Sequence, residues 1–178
     1  KVILPEFSLS KGAIPGLKFK GYAGGVDFSF SYIWGIDGLP FNTRNTLIPV
    51  DAFGTVNIDT ELGFMRQHIA GADLATSLFG IGFWAEAALF LPAEDVVMTT
   101  DLTALYPMSP DPVTQDSMLI EKHQPYLKFI IGGDYFFADG SYLNAQFMHG
   151  FIHERGKGAL NDYLFIRYEK TFFNEKLK

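Results

Sequence analysis

Hydrophobic and polar residues alternate along much of this chain with a period of two, the spacing of side chains on a β-strand. From Val26 to Trp34 one set of positions is Val26, Phe28, Phe30, Tyr32 and Trp34, and the other is Asp27, Ser29, Ser31 and Ile33. One face is wholly apolar and the other nearly all polar, which no helix accommodates. Ile81, Phe83, Ala85, Ala87 and Leu89 oppose Trp84 and Glu86 in the same way. Leu127, Phe129, Ile131, Gly133, Tyr135 and Phe137 oppose Lys128 and Asp134. Leu143, Ala145 and Phe147 face away from Asn144 and Gln146, and Leu164, Ile166 and Tyr168 from Arg167 and Glu169.

Between Val56 and Thr76 the parity never slips. A hairpin between Met65 and His68 is the alternative, but no Asn-Gly or Gly-Gly turn is there to hold it. One long strand is the preferred reading, with Arg66 and His68 near a membrane interface. Gly24-Gly25, Ser77 to Gly80 and Ala138-Asp139-Gly140 are then tight turns, and residues 36–53, 91–124 and 153–160 are longer loops. Short and long connections alternate, as they do in up-and-down barrels of the bacterial outer membrane. The segment 91–124, with Pro92, Pro107, Pro110 and Pro112, is too long for a plain connection. It is expected to fold over or into a pore, or to be a solvated loop with a helical turn.

The prediction is an all-β chain of seven or eight strands: a membrane-spanning antiparallel up-and-down β-barrel domain, or a segment of a larger one, over residues 1–178. Seven strands do not close an even-numbered barrel, which favours the segment; splitting Val56 to Thr76 favours an eight-stranded closed barrel. The opening Lys1-Val2-Ile3-Leu4-Pro5, with no initiator Met and no signal-like stretch, reads as a processed or partial chain.

Composition narrows the function. Aromatic residues make up 16%, with 18 Phe and 8 Tyr, which suits a pleated surface. The net charge of −6 and the lack of a Lys/Arg cluster argue against nucleic acid as a partner. Without Cys there is no disulfide, thiolate metal site or cysteine nucleophile. No run of apolar residues is long enough for a transmembrane helix.

Alternation alone also fits a soluble lipocalin-like ligand-binding barrel; the membrane reading rests on aromatic placement. Tyr32, Trp34, Tyr126, Tyr135, Tyr142 and Phe172 stand at strand ends, where interfacial aromatics are expected, while strand midpoints favour Ala and Ile. The acids and bases opposite the apolar stripe are the expected lumen lining: Asp27, Asp59, Glu61, Asp73, Glu86, Lys128, Asp134, Arg167 and Glu169. They suggest a mildly cation-favouring water path, or else ordinary lumen packing.

Chemical motifs are absent. Asn57, Asp59 and Glu61 share a face but supply too few oxygens for calcium. His149 and His153 lie about 13 Å apart on a strand, too far for one metal ion. Gly80-Ile81-Gly82 and Gly156-Lys157-Gly158 lack the glycine, Ser/Thr and helix that phosphate binding needs, and no Gly-x-Ser-x-Gly elbow occurs. No enzyme, cofactor or metal is expected.

Three phrases carry a resemblance: residues 53–59 (FGTVNID), residues 80–87 (GIGFWAEA) and residues 129–150 (FIIGGDYFFADGSYLNAQFMHG). They resemble an uncharacterised family of porin-like bacterial outer-membrane proteins. The resemblance implies a β-barrel longer than this chain, placed in the outer membrane of a Gram-negative cell with the lipid bilayer as its partner. A homo-oligomer or a surface protein partner is compatible with it. The expected function is a passive channel for small polar solutes, with a structural barrel that docks a partner through its long loops as the alternative.

Overall fold

The computed structural model describes residues 2–3 and 13–170, and all its regular elements but one short 3₁₀ turn, Thr103–Leu105, are strands. They are β1 (Gly16–Ala23), β2 (Val26–Ile36), β3 (Phe41–Pro49), β4 (Val56–Gly63), β5 (Arg66–Leu78) and β6 (Ile81–Pro92). Then follow β7 (Val96–Asp101), β8 (Thr114–Ile120), β9 (Tyr126–Phe136), β10 (Tyr142–His149) and β11 (Asp162–Glu169). Seven form one sheet in the order β1-β2-β5-β6-β9-β10-β11, and four form another in the order β4-β3-β7-β8. The larger sheet ends on β1 and β11 and does not close into a barrel.

Contacts divide the chain into two units. One contains Trp34–His68 and Leu91–Gln124 and carries the four-stranded sheet. Its β3 pairs antiparallel with β4 and parallel with β7, through Arg44 opposite Thr99. Its apolar core is small: Met65, Val96 and Ile120, with Phe41 packed against them.

The other unit contains Gly16–Ile33, Ile69–Phe90 and residues 125–170, and rests on the seven-stranded sheet. Short turns set its register. Gly24 and Gly25, with φ of 60° and 83°, connect Ala23 to its partner Val26. This is the double positive φ of a type I′ two-residue hairpin turn. Phe79 and Gly80 repeat it between β5 and β6, with φ of 54° and 80°. In the β9–β10 turn the Asp139 carboxylate accepts from Ser141 N at 3.0 Å and Ser141 Oγ at 2.6 Å.

Two expectations are corrected. The run from Val56 to Thr76 is not one strand. It leaves strand geometry at Phe64 and Met65, where the Met65 side chain enters the small core and its carbonyl accepts from Asp37 N at 2.9 Å. β4 then belongs to one sheet and β5 to the other. The long loops expected at 36–53 and 91–124 instead supply β3, β7 and β8.

Candidate functional site

The seven-stranded sheet has two chemically distinct faces, built by parity. Residues directly opposite one another on paired strands share a face. Phe19 pairs with Phe30, Leu17 with Tyr32, Ala85 with Ile131, Phe147 with Ile131 and Leu164, and Ala145 with Ile166. These side chains make one continuous apolar face, and much of it is uncovered: Leu17 is 77% exposed, Ile131 53% and Leu164 67%.

The opposite face is polar and hydrogen-bonded. Ser29, only 2% exposed, donates to Asp73, and Lys18 Nζ reaches the same carboxylate at 3.2 Å. Tyr142 OH donates to Asp134 at 3.1 Å, Asn144 Nδ2 to Tyr142 OH at 3.4 Å, and Gln146 Nε2 to Asn144 Oδ1 at 2.9 Å. Arg167 pairs with Glu169. Lys128 Nζ donates to the carbonyls of Phe151 and Ile152 at 2.8 and 3.4 Å, and lies 5.4 Å from the centre of the Phe90 ring. Each polar group with such a partner avoids the penalty of unpaired burial.

Glycines admit bulky neighbours on this face. A Cβ at Gly132 would lie 2.5 Å from the Trp84 indole, and one at Gly71 2.6 Å from Ser31 Oγ. Trp84 therefore lies across Gly132, a cross-strand partner that parity identifies but whose fit only coordinates reveal.

Of the nine residues expected to line a lumen, this face brings together Asp27, Asp73, Glu86, Lys128, Asp134, Arg167 and Glu169. Asp59 and Glu61 are separated from them, because β4 pairs with β3 in the four-stranded sheet. The aromatic set divides as well. Tyr32 and Tyr135 stand exposed on the apolar face, whereas Tyr142 belongs to the polar ladder. Tyr126 is buried, stacked on Phe90 with ring centres 4.9 Å apart, so it offers no ring to an interface. Trp34 sits in the first unit against His68, ring centres 4.1 Å apart, with Arg66 over it at 5.7 Å. Phe172 lies outside the described residues.

One carboxylate organises the β10–β11 connection. The buried Glu154 carboxylate accepts from Tyr163 OH and Asn161 Nδ2, both at 2.6 Å, and from the main-chain amides of Phe151 at 2.8 Å and Asn161 at 3.0 Å. The Tyr163 hydroxyl first, and the Asn161 amide next, hold its pKa down to about 2. At the opposite turn, the Lys170 ammonium and then Ser141 keep the Asp139 carboxyl well below its ordinary range.

His149 Nδ1 lies 2.7 Å from Asp162 Oδ1 and its ring stacks on Phe129, a local pair with no second histidine. Among the described residues no three His, Asp or Glu side chains gather as a metal set, and no helix is long and apolar enough to cross a membrane. Strands can do so without any such helix. No protein-family model matches the chain, and neither a curated protein nor a solved structure matches it.

Proposed function

We propose that the seven-stranded sheet is a section of the wall of a bacterial outer-membrane β-barrel, with its apolar face toward lipid and its polar face lining a path for small polar solutes. One observation carries the reading: the face with bulky apolar side chains is uncovered, while the opposite face holds the paired charges and buried hydroxyl and amide groups. A soluble sheet does the reverse, burying its apolar side. A barrel wall in lipid needs this inversion. The two edges, β1 and β11, would be paired in a closed wall.

Conductance tests the reading. The full chain, refolded in detergent and added to planar bilayers, is expected to give Ohmic steps with modest cation preference. A well-folded preparation without steps removes the channel. Protein that stays monomeric and dispersed without detergent removes the membrane altogether. A barrel that docks a partner is the second reading, favoured by the folding of 91–124 into β7 and β8 with Tyr106 and Met108 exposed beyond them. Insertion into vesicles without conductance would select it.

A further inference from the structure

The polar face carries a cavity of about 370 Å³, within the usual range for small-ligand sites. Gly71 contributes no side chain to it, and Ile69, Ile130 and Met148 supply apolar walls. Three charged residues line it, and their states differ. Asp73 is engaged by Ser29 and Lys18. Lys128 directs its ammonium to the Phe151 and Ile152 carbonyls. Glu86, at the middle of β6, is exposed and has neither an ion pair nor a hydrogen bond among the described residues.

Asp73 thus has a counter-ion and the Lys128 ammonium is turned onto two carbonyls, which leaves the Glu86 carboxylate as the one charged group of the three with no hydrogen-bond partner among the described residues. An anionic ligand would meet the Glu86 carboxylate without a free cation to offset it. An inorganic cation would find one open carboxylate, a second already paired with Lys18, and apolar walls, far short of an oxygen cage. A ligand with an ammonium group on a short hydrocarbon chain satisfies both parts: charge against Glu86, carbon against Ile130 and Met148. We infer that this cavity binds organic ammonium ions, with Glu86 as the specificity-determining residue. The inference deepens the channel reading by naming a solute class, and it rests on this face being open to water.

The test is equilibrium binding of n-butylammonium to the full chain in non-ionic detergent at moderate salt, followed by indole fluorescence and by calorimetry. Saturable binding is expected, at least fivefold weaker in Glu86→Gln and restored in part by Glu86→Asp. Asp111→Asn, which removes an exposed carboxylate between β7 and β8 that does not line this cavity, should leave it unchanged. Ammonium chloride, lacking the carbon chain, and butyrate, lacking the cation, should bind at least fivefold more weakly. Equal binding by Glu86→Gln, an equal loss in Asp111→Asn, or equal binding of butyrate overturns the assignment. Because binding is read without conductance, a chain that binds butylammonium but passes no current sinks the channel alone. One that conducts without binding it sinks the ammonium site alone.

Discussion

At the scale of single residues, the seven-stranded sheet depends on positions where a side chain is missing. Gly132 is one of them, since the Trp84 indole occupies the space of its would-be Cβ. Gly132→Ala should destabilise the fold by about 1–3 kcal/mol, the usual penalty of overpacking. Urea unfolding in detergent measures it, and Trp84→Leu in the same background should recover part of the loss. Phe79 is the opposite case. It holds φ at 54° while its side chain is 91% exposed, so a bulky residue occupies the left-handed region and packs on little. Phe79→Asn, which suits that conformation, should raise stability by roughly 0.5–1 kcal/mol, read as a higher urea midpoint. A lower midpoint would mean that the Phe79 ring makes a stabilising contact that outweighs the backbone strain.

At the scale of elements, the β10–β11 connection hangs on one carboxylate. Glu154 accepts from both ends of its loop, Phe151 N on one side and Asn161 on the other, and from Tyr163 at the start of β11. Its pKa of about 2 lies below that of an unfolded glutamate, about 4.3. The folded state therefore prefers the ionised form. That contribution is complete above the unfolded value, declines as pH falls below it, and is gone once pH has passed the folded value. Amide exchange at Phe151 and Asn161, corrected for intrinsic rates, should accelerate between pH 4 and 2 relative to the β9 amides. In Glu154→Gln it should be fast already at neutral pH, and the acid-dependent change should vanish. Acid-dependent exchange surviving in that variant would place the titrating group elsewhere.

At the scale of the whole molecule, the prediction concerns which side faces what. Ile131 lies in the middle of β9 on the apolar face and is half exposed. In water, replacing an exposed isoleucine with lysine is close to neutral, within about 0.5 kcal/mol. On a lipid-facing strand near the bilayer midplane the same change costs about 2–4 kcal/mol. Ile131→Lys should therefore impair folding into lipid vesicles strongly, while Gln146→Lys, on the polar face of β10, should be tolerated. Equal tolerance of both would remove lipid from the apolar face. Among the described residues β1 and β11 stand at the two ends of the larger sheet, and such an edge offers its open backbone groups to a further strand.

Side-chain alternation determined most of what was legible. It located β2, β6, β9, β10 and β11 and assigned their faces, because parity along a strand is local and needs no knowledge of neighbours. It was blind to the division between β4 and β5, since a chain that changes sheets at Met65 keeps its parity as it does so. β3 was hidden by polar residues on both faces, as in Phe41-Asn42-Thr43-Arg44-Asn45, and β7 and β8 by the prolines around them, although Val96-Val97 and Thr99-Thr100 are β-branched pairs. Only the tertiary structure could decide which strands pair, that Asp59 and Glu61 part from the other acids, and that Lys128 is occupied while Glu86 is open. Those outcomes depend on partners distant in sequence, and a carboxylate's state is set by what reaches it through space.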